Sequence, residues 1–132
     1  MKKQILLADL HGDFDYLHRI LNHHRNHWAS VTILGDLGIG FPRYYDPPFK
    51  APIPVHFIRG NHDNPDHLAN LPSQWAEWNW HHIPDGTIRG DTLYIGGAHS
   101  IDAAHRTPGL DWWPNEELSD HQWTQLLQKV RD

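Results

Sequence analysis

Three short apolar runs, each followed at once by polar residues, constrain the fold of this 132-residue chain more than any other feature. The runs occupy residues 5–8, 31–34 and 55–58. Apolar runs of this length that include β-branched residues are typical of buried strands in a parallel sheet. In open α/β sheets, ligands bind beyond the carboxyl ends of the strands. We therefore predict adjacent parallel strands near residues 4–8, 31–34 and 55–58 that deliver polar side chains to one edge of a sheet.

The remaining segments complete an α/β pattern. Apolar residues at helical spacing predict a helix over residues 13–24, and weaker signals predict a short helix over 66–71 and a final helix opening near Glu116. Leu118, Leu126, Leu127 and Val130 would form the apolar face of that final helix. Five prolines predict an extended loop over residues 41–54, and turn signals at 85–86 and 90–91 predict hairpins between residues 80 and 97. The order of elements predicts one α/β domain over residues 1–132.

Composition excludes several classes of protein. Cysteine is absent, so a bound metal would need oxygen and imidazole ligands rather than thiolates. No apolar run approaches the roughly 18 residues of a membrane span, and Asp9 interrupts the amino terminus before a signal-peptide core, so we expect a cytoplasmic protein without a membrane partner. The formal net charge of −5 argues against non-specific nucleic-acid binding by a basic surface. Most of the seven tryptophans are expected in the core.

Candidate metal ligands follow each of the three apolar runs. Asp9 and His11 are two residues apart, so both side chains can point the same way from an extended backbone. Gly35-Asp36 follows the second run, and the block of residues 60–63, Gly-Asn-His-Asp, follows the third. Taken singly, each group has an ordinary structural explanation, such as a helix cap or a turn. Their occurrence in order, each after a strand, favours a shared site.

This ordered set resembles the signature of the calcineurin-like metallophosphoesterase family, whose opening blocks are Asp-x-His, Gly-Asp and Gly-Asn-His-Asp/Glu. Residues 93–98, 100–102 and 112–116, together with Arg106, look like the middle region of phage and bacterial members. Nearly the whole chain is covered by the resemblance. It implies an α/β fold of the family's sandwich type, truncated to about its amino-terminal two-thirds, with a mixed sheet, helices and a hairpin region.

The resemblance also implies an activity and a set of metal ligands. The activity is hydrolysis of a phosphate mono- or diester by hydroxide that divalent metal ions activate. Asp9 and His11 would bind the first metal, Asp36 would bridge both metals, and Asn61 would bind the second. Mixed oxygen and nitrogen ligands admit manganese, iron, nickel or zinc. A nucleic acid enters this interpretation only as a substrate.

Further roles implied by the resemblance concern the phosphate. His62 would contact the phosphate and protonate the leaving oxygen, a role that suits an imidazole because its charge changes near neutral pH. Arg59 and Arg106 are candidates for phosphate contact, although each would serve equally well in a surface ion pair. No further acid follows Asp36 in residues 37–40 to orient His62, so the sequence does not identify the partner of that imidazole.

The family pattern continues with another histidine and a Gly-His-x-His block, and neither occurs in these 132 residues. By analogy, the first metal would lack one histidine and the second would lack two. His99 and His105 could substitute for them. Two other functions therefore stay open: a catalytically silent metal-binding remnant with a regulatory or interaction role, and a metal-free module that binds nucleic acid or protein. Metal content distinguishes the metal-free module from the other two candidates. Phosphodiester turnover distinguishes an active phosphoesterase from the silent remnant.

The missing ligands and strands lead to a prediction about assembly and metal filling. Absent later strands would leave a sheet edge and apolar surface uncovered, and such surfaces tend to be paired, so we expect a homo-oligomer. The first metal site, with two carboxylates and one imidazole, should fill before the second. Light scattering combined with metal titration measures both. A strict monomer that binds two metals with equal, tight affinity would contradict this prediction.

Overall fold

The computed structural model describes residues 1–41 and 46–131. Its main sheet has four parallel strands in the order β1 (Lys3–Leu7), β2 (Trp28–Leu34), β3 (Val55–Ile58) and β4 (Trp80–His82). Strands β5 (Thr87–Arg89) and β6 (Thr92–Tyr94) form a separate antiparallel pair. The helices in the described residues are α1 (Phe14–His24), α2 (Pro65–Leu68), α3 (Gln74–Glu77) and α4 (Asp120–Arg131), with a 3-10 turn at Ala103–His105.

The predicted α/β class is confirmed, and so is the adjacency of the first three strands. Leu7 pairs with Ile33 across β1 and β2, and Leu34 pairs with Ile58 across β2 and β3. The carboxyl ends of these strands therefore lie at one edge of the sheet. Parallel and antiparallel pairing both occur, but in two separate sheets rather than in a single mixed one.

Helix α1 covers one face of the sheet and forms the core with it. The helix begins after Asp13, whose carboxylate accepts a hydrogen bond from the Tyr16 N–H at 3.1 Å, as an N-cap should. Apolar side chains of α1 at helical spacing are buried against the sheet. The buried cluster contains Phe14, Leu17, Leu21, Val31, Ile33, Val55, Phe57, Trp75 and Trp80. Burying each such side chain stabilises the fold by about 1.5–3 kcal/mol.

The opposite face of the sheet is open to solvent along β1 and at the end of β2. Side chains alternate between the two faces of a strand, so Leu6 and Leu34 point away from α1. They are 65% and 45% exposed. β1 and the end of β2 are therefore packed on the α1 side only, because no described residue fully covers the other side of the sheet there.

The carboxy-terminal half differs from the sequence prediction in two elements, the strand at residues 80–82 and the final helix. Residues 80–82 form a fourth parallel strand rather than part of a hairpin, because the edge of β3 offers unpaired backbone groups and Trp80 is buried beside it. The predicted turn at residues 90–91 is confirmed between β5 and β6. Helix α4 begins at Asp120, later than predicted, and its Leu127 and Val130 are 54% and 58% exposed.

The proline-rich loop predicted over residues 41–54 is described in part. Residues 42–45 of the predicted loop lie outside the described part of the chain, and the rest of residues 41–54 contains no helix or strand.

The longest described helices, α1 and α4, have 11 and 12 residues, whereas a membrane span needs about 20. No described helix is therefore long and apolar enough to cross a membrane.

Candidate metal centre

Backbone hydrogen bonds fasten together the loops that follow β1 and β2. The Asp9 N–H donates to the Gly35 carbonyl at 3.3 Å, and the His11 N–H donates to the Asp36 carbonyl at 2.8 Å. These bonds continue the pairing of the two strands beyond their ends. The side chains of the two loops are thus held at the same edge of the sheet.

Three residues other than glycine in these loops have positive φ angles. The values are 57° at Asp9, 47° at His11 and 54° at Asp36. Few residues other than glycine adopt this left-handed conformation, because each instance costs about 1–3 kcal/mol and persists only where the surroundings impose it. Such strain concentrates at functional sites. Here it falls on the three residues that the sequence analysis proposed as ligands of the first metal.

Gly60 lets the loop after β3 come close to Asp36. A Cβ atom at position 60 would lie 2.0 Å from Asp36 Oδ1 and 2.5 Å from the Asp36 backbone nitrogen. Neither distance is compatible with a side chain, so glycine is required by contact rather than by its φ angle. The glycine of the Gly-Asn-His-Asp block therefore brings Asn61 and His62 to the Asp36 carboxylate.

The buried carboxylate of Asp63, 1% exposed, holds the loops after β2 and β3 together. Its Oδ1 accepts hydrogen bonds from the N–H groups of Gly38 and Ile39 at 2.8 and 3.0 Å. Its Oδ2 accepts from Leu37 and Gly60 at 3.3 and 2.8 Å. Burial raises the pKa of Asp63, and the backbone donors act in the opposite sense. Asp63 ends the Gly-Asn-His-Asp block, where the sequence pattern gives it no role, and the structure identifies it as the clamp between two loops.

The side chains of the first predicted metal site converge at the sheet edge. His11 Nε2 lies 3.9 Å from Asp9 Oδ1 and 3.8 Å from Asp36 Oδ2. Two ligands that each bind one cation at about 2.1 Å can be at most about 4.2 Å apart, so His11 lies within range of sharing an ion with either carboxylate. Asp9 is not in the group of ligand atoms that all lie within 4.8 Å of one another, which His11 and Asp36 form with His62. Two carboxylates and an imidazole suit a divalent transition metal. The residues present therefore fit the metal that the sequence analysis predicted.

His62 lies between Asp36 and Arg106. Its Nδ1 is 3.0 Å from Asp36 Oδ2, and its Nε2 is 2.7 Å from Arg106 Nη2. A carboxylate only accepts hydrogen bonds and a guanidinium only donates them, so Nδ1 carries the hydrogen and Nε2 accepts. The backbone N–H of His62 also donates to Asp36 Oδ1 at 3.0 Å. The orienting acid that the sequence analysis did not identify is thus Asp36 itself in this arrangement.

The two candidate arginines have different surroundings. Arg106 contacts His62 and also donates to Asp102 Oδ1 at 2.9 Å, and this hydrogen bond lowers the pKa of Asp102. Arg59 donates from Nε to Asp85 Oδ2 at 2.8 Å and from Nη1 to the carbonyl oxygens of residues 115 and 116. Its side chain is 8% exposed. The Arg59 guanidinium therefore joins segments of the fold, whereas Arg106 lies at the candidate site.

Asn61 lies on the other side of Asp36, beside an open cavity of about 290 Å³ that Asp9 and Asp36 also line. Its Nδ2 donates to Ser100 Oγ at 3.0 Å. A smaller cavity of about 110 Å³ is lined by His11, Gly38, Phe41 and His62. Solvent-accessible space thus adjoins the candidate ligands on both sides.

The proposed substitute ligands are not brought to this centre. Among the described residues, His11, Asp36 and His62 form one group whose ligand atoms lie within 4.8 Å of one another. His99 belongs to a different group, with Glu116 and Glu117, and its Nδ1 is 3.0 Å from Glu117 Oε2. His105 lies exposed in the 3-10 turn and belongs to neither group.

Comparison with known proteins assigns the chain to a family. The sequence pattern of the calcineurin-like phosphoesterase family matches residues 3–130, and the chain therefore belongs to that family. Its members act on phosphoesters and typically bind divalent metals. A lariat debranching enzyme from Gallus gallus is 37% identical over 67 aligned positions, which cover 49% of this chain and 12% of that enzyme. The chain thus corresponds to only a small part of this relative's length. No solved structure matches the chain.

The Asp63 clamp generates a stability prediction. Each oxygen of Asp63 accepts hydrogen bonds from two N–H groups. In Asp63→Asn an NH2 group would replace one of these oxygens. Whichever way the amide turns, at least two buried donors would lose their acceptor. Each such loss costs about 1–3 kcal/mol, and we expect the free energy of unfolding in urea to fall by about 2–5 kcal/mol. Asp91→Asn, at an exposed turn, is the matched control. Equal stability of the two variants would contradict the clamp.

Proposed function

We propose that this chain is a metal-dependent phosphoesterase that hydrolyses a phosphate mono- or diester. The observation that carries the proposal is that His11, Asp36 and His62 place their ligand atoms within 4.8 Å of one another, at a point where Asp9 Oδ1 lies 3.9 Å from His11 Nε2. Family membership supports it, since the residues that converge are those of the family's opening blocks. His62 and Arg106 lie directly beside this point, where a phosphate bound to the metals would extend.

In this proposal the metals are held by four side chains. Asp9 and His11 would bind the first ion, Asp36 would contact both ions, and Asn61 would bind the second. Bound divalent cations would supply a Lewis acid for the phosphoryl group and lower the pKa of the attacking water. Because the chain supplies the second ion with only one shared carboxylate and one neutral oxygen, we expect that ion to bind more weakly than the first.

His62 and Arg106 would handle the phosphate. A guanidinium donates two parallel hydrogen bonds to a phosphate, and Arg106 is already held next to the imidazole by Asp102. An anion that enters between Arg106 and His62 would accept from the guanidinium. The Nε2 atom of His62 would then face the leaving oxygen, to which a protonated imidazole can give its proton.

One observation favours the alternative of a metal-binding protein without turnover. Neither His99 nor His105 joins the group that contains Asp36, so the described residues supply no substitute for the family's later histidines. A second ion would then depend on water or on groups outside the described residues for most of its ligands. Elemental analysis of the purified protein, combined with a phosphodiester turnover assay in added manganese, distinguishes this alternative from the proposed function.

Asp36→Asn tests the bridging role. The substitution removes the charge that both ions would share while keeping nearly the same shape, so most metal binding and essentially all turnover should be lost. The loss of metal affinity should exceed the roughly 10–100-fold effect that is typical of changes to outer-shell groups. Calorimetric titration with manganese measures this loss. Asp15→Asn, exposed on α1, is the control, and unchanged metal affinity in Asp36→Asn would refute the assignment.

His62→Ala tests the acid role. Metal content should stay close to that of the original protein, whereas turnover of esters with poor leaving groups should fall by about 100-fold or more. Esters with good leaving groups need little protonation and should be affected much less. Turnover of a series of alkyl and aryl phosphodiesters measures the difference. Equal damage across the series would show that His62 does not protonate the leaving oxygen.

A further inference from the structure

A chain of hydrogen bonds connects Asn61 to a buried carboxylate outside the metal centre. The carboxylate belongs to Glu116, which is 3% exposed. Its Oε1 accepts from the Ser100 N–H at 2.7 Å, and its Oε2 accepts from the Ser100 hydroxyl at 2.5 Å. Ser100, 1% exposed, in turn accepts from Asn61 Nδ2 at 3.0 Å. We call Glu116, Ser100 and Asn61 the amide relay.

The relay has a fixed polarity because a hydroxyl group carries a single hydrogen. Ser100 gives that hydrogen to Glu116, so toward Asn61 its oxygen can only accept. The Asn61 amide must therefore present its nitrogen to Ser100, since the reversed amide would place two acceptor oxygens against each other. The carbonyl oxygen Oδ1 is then the amide atom left for the metal centre.

Arg106 reinforces the same polarity. Its Nη1 lies 3.3 Å from Ser100 Oγ, which makes it a second donor on the accepting side of the hydroxyl. The other terminal nitrogen of Arg106 is the one that contacts His62. Ser100 therefore touches one residue from each half of the candidate site, the amide on the metal side and the arginine on the phosphate side.

We propose that Glu116 and Ser100 are positioning residues that orient Asn61 so that its carbonyl oxygen faces the second metal position. Cations bind amide oxygen, whereas an amide NH2 group offers them hydrogens instead of a lone pair. A reversed Asn61 would thus present no ligand. The metal-binding role of Asn61 rests on the proposed function, but the orientation of its amide can be measured without metal.

Glu116→Gln is the decisive substitution because it reverses the relay with little change in shape. The Ser100 N–H requires an acceptor, so the oxygen of the new amide would stay on that side and its NH2 group would face the Ser100 hydroxyl. The hydroxyl would then accept from this NH2 group, and its own hydrogen would turn toward Asn61. An amide that receives a hydrogen must present its oxygen, so Asn61 would flip away from the metal centre.

The matched control is Glu117→Gln, the same chemical change at the exposed neighbouring residue, which contacts His99 and lies outside the relay. Two readouts follow the orientation. The first is the position of the Asn61 side-chain amide signals in nuclear magnetic resonance spectra of the metal-free protein, identified by their loss in Asn61→Asp. The second is the ratio of second-site to first-site manganese affinity, measured by electron paramagnetic resonance. Ser100→Ala, which removes the relay, serves as the second variant if Glu116→Gln does not fold.

We expect Glu116→Gln to move the Asn61 amide signals and to lower the second-site manganese affinity by about 10-fold or more, with little change at the first site. Glu117→Gln should change neither. Unmoved Asn61 signals in a folded Glu116→Gln or Ser100→Ala protein would overturn the inference, as would equal weakening of both sites. If the original protein binds manganese without phosphodiester turnover, the proposed function fails, while the amide signals still decide the inference.

Discussion

The arrangement of the site depends on the hydrogen bonds that the carboxylate of Asp63 accepts. Four backbone N–H groups from two loops donate to its two oxygens. Among side chains of similar size, only an ionised carboxylate has hydrogen-bond acceptors and no donor. Without this acceptor the loop after β2 would bury unpaired donors, a cost that exceeds the gain of most single contacts. The close approach of Gly60 to Asp36 follows from it. The chemistry of the metal centre is therefore positioned by a residue that does not touch the proposed metals.

A second buried carboxylate, Glu116, plays a comparable part on the opposite side. Asp63 fixes backbone, and Glu116 fixes a hydroxyl and, through it, an amide. Both residues sit outside the converging ligands and both are almost completely buried. The candidate metal centre thus depends on two buried carboxylates that are not themselves proposed ligands.

The sequence predicted the parts of this design that depend on local pattern. Apolar runs that end in ligand-type residues were enough to predict parallel strands 1–3 and the edge at which Asp9 and Asp36 lie. The roles of Asp63 and Glu116 could not be predicted, because three of the four partners of Asp63 lie 24–26 residues away and the partner of Glu116 lies 16 residues away, so that only folding brings them together. The fourth strand was missed for the same reason: pairing with β3, rather than its own three residues, makes it a strand.

The left-handed backbone at Asp9 and Asp36 bears on how such a chain can change over evolutionary time. Asparagine and glycine adopt this conformation at least as readily as aspartate, so the backbone conformation alone would accept either in place of these acids. Neutral drift could therefore replace both carboxylates at little conformational cost. The backbone alone does not account for negative charge at these two positions. At Asp36 the carboxylate accepts hydrogen bonds from His62, and the cation of the proposed function would account for the charge at both positions.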